Sequence, residues 1–439
     1  MRVVPRPRVE MGSSSIFEDD VEIIRDADLF TEEHTPAEIL CRDDVMQDYV
    51  NALKPVYKGR PPRNAFLYGD TGVGKTAATK YLLQELDADI DARNDDAPGD
   101  ERGFTYVRVN CQNLAPADGT ASSYQVAIAL VNELRDGETV SSTGYAAREV
   151  YEMLYDELDD IGGTVLIVLD EVDRVGESDT LLYDLPRARD IGYVENTRIG
   201  LIGISNDYTF RSNLSPKVRD TLCETEIKFP AYTAEELEAI IEARAERALH
   251  PDTYGKEVLS LCAALAVRNS SGSARRAMDL LKQAAEQAEN EGHVPIEPDD
   301  VYAAKEELDY GDMVESVADQ DQHKQLILSA VARLDADGRT PVRTKAIHAA
   351  YRRLAQAAGD DPLSQRGMYN HLTRLDMLGF LHSYQNNEGL RGGQYNTYEL
   401  SEALTVAQVE DAVDDSELPL DGVTLDIERI LRDAGLADG

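Results

Sequence analysis

Short apolar runs alternate with amphipathic helical stretches over residues 16–230. The runs are Asn64–Tyr68, Phe104–Asn110, Val165–Leu169 and Ile199–Ser205. Short apolar runs separated by helical patterns are typical of strands that are buried on both faces. The alternation therefore predicts βα units around a mostly parallel sheet. An acidic stretch at 89–102, which contains Pro98 and Gly99, predicts an exposed loop between a helix and a strand.

The pattern becomes purely helical over residues 231–310. Thr233, with Glu236 three residues later, predicts a capping box before an apolar-periodic run. Gly272 marks the end of the next helical stretch, and residues 273–291 predict another helix. This order predicts a small helical lid domain.

Helical patterns and a hairpin pattern follow in residues 311–405. The helical patterns cover Lys324–Leu334, Arg343–Ala357 and Ser364–Leu378, and the hairpin pattern covers Phe380–Leu400. Three helices and a hairpin are the order of a winged helix, a variant of the helix-turn-helix. Outside these domains we expect a flexible tail at 1–15, rich in Pro, Arg and Ser, and an acidic tail with one amphipathic helix at 406–439.

The chain carries 83 acidic and 44 basic residues, which gives a net charge of −39. A charge this large indicates either disorder or a globular protein adapted to molar salt, where the Debye length falls to about 3 Å and self-repulsion is screened. The acidic residues are spread along nearly the whole chain and interleaved with periodic apolar segments. This distribution favours the salt-adapted globular protein.

The cysteine pattern and the lack of long apolar runs indicate a cytoplasmic protein. The four cysteines, which form no CxxC pair, are Cys41, Cys111, Cys223 and Cys262. Their wide spacing argues against a disulfide framework or a zinc site and fits a reducing cytosol. No apolar run approaches the ~18 residues of a membrane span, and residues 1–10 lack the apolar core of a signal peptide. We expect no membrane contact.

A phosphate-binding motif follows the first apolar run. The residues that match GxxxxGK[ST] are Gly69, Asp70, Thr71, Gly72, Val73, Gly74, Lys75 and Thr76. The glycines allow backbone N–H groups to wrap phosphates, and the following helix presents its N-terminus to the anion. Lys75 is placed to reach the β- and γ-phosphates, and the Thr76 hydroxyl is placed to ligate Mg²⁺. The motif predicts ATP or ADP and Mg²⁺ as cofactors.

Two later apolar runs end in polar residues that suit phosphate chemistry. Val165–Leu169 is followed by Asp170 and Glu171. Asp170 is expected near Mg²⁺, and Glu171 is expected to polarise the attacking water. Ile199–Ser205 is followed by Asn206, whose amide is expected to position the water near the γ-phosphate.

These features together resemble the AAA+ ATPases, and more narrowly the archaeal origin-recognition and cell-division-control type replication initiators. The resemblance covers about residues 15–400. Besides the motifs above, the stretches that carry it are Pro36–Asp43, Ile204–Asn206, Phe229–Leu237 and Gly272–Ala277. The family fold is an α/β P-loop AAA+ core with a helical lid domain, followed by a winged-helix domain.

The resemblance also implies roles for single residues. Arg275 matches the sensor-2 position, which contacts the bound nucleotide from the lid, and Arg219 matches the region of the arginine finger. The chain departs from the family at Cys41-Arg42-Asp43, where His-Arg-Glu is usual, and at Lys217, where Arg is frequent. The segment expected to hold the initiator-specific insertion, 115–135, has one basic residue. The family further implies origin recognition, loading of the replicative MCM helicase, and self-association on DNA.

A neutral segment within this acidic chain is the candidate DNA-binding region. Residues 321–410 hold ten basic and ten acidic residues, so the rest of the chain carries the whole net charge of −39. A surface that binds DNA phosphates must be less negatively charged than the rest of this acidic chain. The candidate DNA contacts are Gln365, Arg366, Tyr369, Asn370 and Arg374 in one helix and Arg391 near the hairpin tip. A winged helix that binds protein, with ordinary solvated charges, is the alternative.

Three functions remain open at this point. The first is an initiator that binds double-stranded origin DNA, recruits or loads the helicase, and hydrolyses ATP slowly as a switch. The second is an AAA+ or STAND-type regulatory ATPase whose winged helix binds a promoter or a protein partner. A clamp loader is a third and weaker alternative, since a clamp loader needs no winged helix.

Overall fold

The chain divides into two compact units, residues 1–305 and 306–439. The computed structural model describes residues 21–31, 34–96, 103–114, 120–135, 139–176, 180–210, 214–222, 224–387, 394–416, 418–420 and 422–436. The boundary between the units falls within one helix, Pro298–Ala318.

Five strands form the sheet of the first unit. They are β1 (Ala65–Tyr68), β2 (Phe104–Asn110), β3 (Gly163–Asp170), β4 (Thr197–Ser205) and β5 (Thr225–Lys228). Their order is β2-β3-β4-β1-β5, and all neighbours in this sheet pair in parallel. The predicted parallel α/β sheet is confirmed, with β5 in addition. The sequence did not reveal β5 because only Ile227 of its four residues is buried, so no apolar run marks it.

The strand β3 shows why the sheet is buried on both faces. Successive side chains of a strand point to opposite faces. The side chains that pack in the core beside α3 and α4 are Val165, Ile167 and Leu169. Those that pack in the core beside α1 and α2 are Leu166 and Val168. The polar side chains at the carboxyl ends of β3 and β4 are thereby held at one edge of the sheet.

Nine helices of the described residues lie wholly in the first unit. They are α1 (Asp43–Tyr57), α2 (Lys75–Asp96), α3 (Ser123–Leu134), α4 (Ala147–Ile161), α5 (Thr180–Asp184), α6 (Pro216–Leu222), α7 (Ala234–Ala248), α8 (Lys256–Ser270) and α9 (Ala274–Glu291). The expected loop at 89–102 begins later than predicted, because α2 continues to Asp96. Leu83, Leu86 and Ile90 are buried at helical spacing and extend the apolar stripe of α2 into the acidic stretch.

The predicted helical lid is present as α7, α8 and α9. Thr233 and Glu236 form the predicted capping box at the start of α7. Gly272 follows α8 with φ of +73°, a left-handed conformation that glycine adopts without strain. Ser273 then caps α9 by accepting a hydrogen bond from the backbone N–H of Arg276.

The second unit contains a winged helix. Its elements are the end of α10 (Pro298–Ala318), α11 (Gln322–Ala336), β6 (Val342–Arg343), α12 (Thr344–Ala357), α13 (Gln365–Met377), β7 (Leu381–Asn387), β8 (Gln394–Leu400), α14 (Val406–Asp415) and α15 (Ile427–Asp433). The strands pair antiparallel in the order β6-β8-β7. The predicted order of three helices and a hairpin is confirmed.

The segment 406–439 differs from the predicted acidic tail. It holds two helices, and α14 packs on α11 while α15 packs on α12. Val409, Ala412 and Val413 are buried at helical spacing, and Ile430 is fully buried in the same core. The acidic side chains lie on the outer face, so a high acidic content did not prevent this segment from joining the core.

Cys41, Cys111 and Cys262 are free thiols, and Cys223 lies outside the described residues. No helix in the described ranges is both long enough and apolar enough to cross a membrane.

Candidate functional site: a nucleotide cavity and an exposed helix face

The P-loop connects β1 to α2. Gly72 and Gly74 have φ of +75° and +91°, so other residues would be strained there. Gly72 also lies directly against the lid, because a Cβ at this position would collide with the Ser273 hydroxyl. The backbone N–H of Ala274 donates to the Gly72 carbonyl at 2.9 Å. The start of α9 is therefore fixed against the loop that is expected to bind phosphate.

Lys75 is a buried cation at the start of α2. Its ammonium donates to the carbonyls of Gly69 and Asp70 at 2.7 and 2.8 Å and to Oδ1 of Asn206 at 2.8 Å. Burial lowers the pKa of Lys75 to about 8, and the nearby Asp170 opposes this shift. The lysine predicted to contact phosphate and the asparagine predicted to position water are thus neighbours.

Asp170 ends β3 and receives two hydrogen bonds on one carboxylate oxygen. The Thr76 hydroxyl donates to Oδ2 at 2.9 Å, and Nη2 of Arg108 donates to the same oxygen at 2.7 Å. The two residues expected to hold Mg²⁺ are therefore adjacent. Arg108 was missed by sequence reasoning. Its signal is a cation within the apolar strand β2, two residues before Asn110, which is in register with Asp170.

Glu171 is half-buried at the start of a 3-10 turn and has a left-handed backbone with φ of 52°. Burial raises the pKa of its carboxyl group, and the nearby carboxylates of Asp170 and Asp173 raise it further. A carboxylate with a raised pKa is a better proton acceptor than an ordinary glutamate. Strained backbone of this kind occurs often at functional sites.

One cavity of about 620 Å³ brings most of these residues together. Its polar lining residues include Thr71, Gly72, Gly74, Lys75, Thr76, Asp170, Glu171, Asn206 and Arg275. Its lining also includes the apolar residues Phe30, Ile39, Leu40, Ile240 and Met278. This combination suits a ligand with phosphates at one end and a flat apolar ring at the other. The apolar lining residues were not predicted, because they come from distant parts of the chain.

The three arginines at positions singled out by the family resemblance differ in their relation to the cavity. Arg275 lines the cavity from the first turn of α9. Arg42 is buried but does not line the cavity; it lies 3.4 Å from the centre of the Tyr232 ring and donates to the Pro230 carbonyl at 2.6 Å. Arg219 lies on α6 and is not among the cavity residues.

The second candidate region is the exposed face of α13. Met368, Leu372 and Leu375 are fully buried against the winged-helix core. The opposite face is exposed and carries Gln365, Arg366, Tyr369, Asn370 and Arg374. In the described residues, neither the Arg366 nor the Arg374 guanidinium has an ion-pair partner. Arg391, the remaining predicted DNA contact, lies outside the described residues.

A second group of cations lies beside this face. Lys345 and Arg352 are exposed on α12 and line a concave surface together with Gln365 at the start of α13. Sequence reasoning missed them because it considered α13 and the hairpin alone. They add positive charge next to the candidate recognition helix.

Three family models match successive parts of the chain. They are an AAA domain at residues 59–206, a Cdc6 AAA+ ATPase-type lid domain at 238–306, and a CDC6 C-terminal winged helix domain at 315–407. The two Cdc6-type models match the lid helices and the winged helix described above.

Relatives of similar length are similar to this chain over most of its sequence. ORC1-type DNA replication protein 10 of Halobacterium salinarum is 46% identical over 393 residues, which cover 89% of this chain and 92% of that protein. ORC1-type DNA replication protein 15 of Haloarcula marismortui is 45% identical, with coverage of 89% and 93%. Among solved structures, the Orc1 protein of Aeropyrum pernix in complex with DNA has a TM-score of 0.75 and 31% identity and covers 91% of this chain and 98% of that one.

Proposed function

The chain belongs to the ORC1-type DNA replication proteins, and from this we propose that it is an ATP-dependent replication initiator that binds double-stranded origin DNA and helps recruit or load the replicative MCM helicase. The observation that carries the proposal is the presence of a nucleotide cavity and an exposed, cationic winged-helix face in one chain. The first supplies a switch, and the second supplies a surface for DNA.

The cavity fits ATP or ADP. Backbone N–H groups of the P-loop and the N-terminus of α2 would hold the phosphates, with Lys75 as their buried cation. Arg275 would contact the phosphates from the lid. The apolar lining residues Phe30, Ile39 and Met278 would enclose the base.

Thr76 and Asp170 fit Mg²⁺. A hydroxyl and a carboxylate are hard oxygen donors, and Mg²⁺ is usually bound through one or two protein oxygens together with the phosphates. The bound ion would neutralise charge on the phosphates. Glu171 would accept the proton of the attacking water, and Asn206 would orient that water. A nucleotide switch needs only slow ATP hydrolysis. When copies of the chain associate on DNA, Arg219 would act on the nucleotide bound by a neighbouring copy.

The exposed face of α13 would bind duplex DNA in the manner of a recognition helix. Such a helix enters the major groove with base-reading and phosphate-binding side chains on one face. Arg366 and Arg374 are about two turns apart on that face and lack ion-pair partners among the described residues. Lys345 and Arg352 on α12 would add phosphate contacts. The related Orc1 protein of Aeropyrum pernix was solved in complex with DNA, which supports this assignment. The protein would act in the cytoplasm.

Footprinting on genomic DNA tests the proposed function. We expect protection at replication origins, stronger with ATP or ADP than without nucleotide. A matched variant with both Arg366→Ala and Arg374→Ala should lose the protection while keeping nucleotide binding. Protection at promoters, or binding to protein and not to DNA, would support the regulatory ATPase instead.

A further inference from the structure

Arg108 and Thr76 share a single oxygen atom of Asp170. Both donors lie within 3 Å of Oδ2, at 2.7 Å for Arg108 and 2.9 Å for Thr76. Oδ1 of the same carboxylate accepts from the backbone N–H of Glu171 at 3.2 Å. The oxygen that faces the P-loop hydroxyl, and would face Mg²⁺, is therefore paired with a cation that belongs to the chain itself.

The electrostatic surroundings explain what this cation does. Asp170 is 4% exposed, and the carboxylates of Glu171 and Asp173 lie nearby. Lys75 is the P-loop cation of this group. Without Arg108, Asp170 and Glu171 would still line the cavity with Asp173 nearby, and the cations left to offset them would be Lys75 and, near Glu171, Arg174 and Arg275. The weaker compensation would oppose the binding of phosphates. An unpaired buried carboxylate would also be unfavourable in itself.

The bond to Asp170 is what holds the Arg108 guanidinium at the site. One third of its side chain is exposed, whereas Asp170 is nearly inaccessible. Its Nε is buried and has no hydrogen-bond partner among the described residues. The strand register aligns Arg108 with Val168, two residues before Asp170, so only the end of its long side chain reaches the carboxylate.

We propose that Arg108 is a positioning residue that occupies the metal-facing oxygen of Asp170 and substitutes for the charge of Mg²⁺ when the metal is absent. Arg108 thereby supports nucleotide binding without metal and competes with Mg²⁺ when metal is present. Both effects weaken the coupling between Mg²⁺ and nucleotide. This inference rests on the proposed nucleotide and Mg²⁺ site.

The test is equilibrium binding of a fluorescent ADP analogue in molar KCl. The free Mg²⁺ concentration is varied from chelator-buffered, metal-free solution to the millimolar range. The proteins are the full-length wild type, Arg108→Gln, Arg108→Lys and a control, Arg148→Gln. Arg148 is an exposed arginine on α4 that pairs with Glu152 and does not line the cavity.

We expect Arg108→Gln to bind ADP about tenfold more weakly than wild type without metal, and to need about tenfold less Mg²⁺ for half-maximal enhancement. Its affinity at saturating Mg²⁺ should approach that of wild type. Arg108→Lys keeps the charge with a shorter reach and should fall between the two, and Arg148→Gln should match wild type. Melting temperatures establish that each variant is folded. If Arg108→Gln does not fold, the Mg²⁺ dependence of ADP binding by Arg108→Lys tests the role of Arg108.

The outcomes separate this inference from the proposed function. Absence of ADP binding by the wild type at every Mg²⁺ concentration would overturn the proposed function. Normal wild-type binding, with the same ratio of Mg²⁺-loaded to metal-free affinity in the Arg108 variants, would overturn the role of Arg108 alone.

Discussion

The ammonium nitrogen of Lys75 lies 2.8 Å from Oδ1 of Asn206, although 131 positions separate the two residues in the chain. The contact exists because β1 and β4 are neighbours in the sheet and end in register, with Tyr68 opposite Ser205. The P-loop and Asn206 therefore start from adjacent strand ends. This geometry holds the Lys75 ammonium between the P-loop carbonyls and Asn206.

Lys75→Ala should abolish ATP binding. The variant removes the buried P-loop ammonium, while the phosphates would still face Asp170 and Glu171. Titration with a fluorescent ATP analogue measures the loss. Lys58→Ala, at an exposed lysine after α1, is the control and should bind as wild type does. Unchanged affinity of Lys75→Ala would remove the P-loop from the proposed mechanism.

Glu171→Gln should bind ATP but hydrolyse it at least ~10²-fold more slowly, the usual scale for losing a general base. Glutamine keeps the size of the side chain and removes its ability to accept a proton. Single-turnover measurement is required because a switch protein hydrolyses slowly even as wild type. If the variant hydrolyses ATP at the wild-type rate, another group activates the water.

Much of the fold and the polar lining of the cavity could be predicted from the sequence, because their signals are local. The P-loop is eight consecutive residues, Asp170 and Glu171 directly follow a buried strand, and Asn206 follows another. Parallel strands bring their carboxyl ends to one edge, so the pattern alone predicts proximity.

The rest depends on contacts between distant segments. The apolar lining of the cavity combines Phe30 and Ile39 with Ile240 of α7 and Met278 of α9. No periodicity links these positions. Arg108 likewise reaches Asp170 only through the pairing of β2 with β3. In 406–439 the sequence predicted one amphipathic helix and not two, because the acidic outer faces of α14 and α15 dominate the composition of the segment.

Val409→Ala should destabilise the second unit by about 2 kcal/mol, within the usual range for removing buried methyl groups. Val409 is fully buried on α14 within the winged-helix core. Chemical denaturation measures the change. Glu410→Ala, at the exposed neighbouring position, should leave the free energy of unfolding nearly unchanged. Equal stability of both variants would indicate that 406–439 does behave as a tail.

Dilution from molar salt should lower the melting temperature. With a net charge of −39, reducing the salt from 1 M to 0.1 M lengthens the Debye length from about 3 to about 10 Å and exposes repulsion that salt had screened. Thermal melts in a KCl series measure the effect, with sucrose at equal osmolality as a control for solvent exclusion. A melting temperature that stays flat or rises on dilution would contradict salt adaptation.

Arg366→Ala and Arg374→Ala should each weaken binding to duplex DNA. Both guanidinium groups lie on the exposed face of α13, opposite the buried Met368, Leu372 and Leu375. A phosphate contact releases condensed counterions, so losing one should flatten the slope of log K against log salt by about 0.9. An arginine that reads a guanine edge should instead cost about 1–3 kcal/mol at one base position.

Arg339→Ala is the control that distinguishes a direct phosphate contact from a general effect of net charge on DNA binding. Arg339 belongs to the same unit, but its guanidinium is already paired with Asp337 at 3.0 Å. Arg339→Ala removes the same formal charge, so a slope that depends on net charge would change equally in all three variants. Because counterion release requires a phosphate within reach, we expect the slope to change for Arg366 and Arg374 and not for Arg339. Binding isotherms on origin and random DNA over a salt series measure the slopes. If all four proteins bind alike, the winged helix is not the main DNA site, and its exposed face is better explained as a surface for protein.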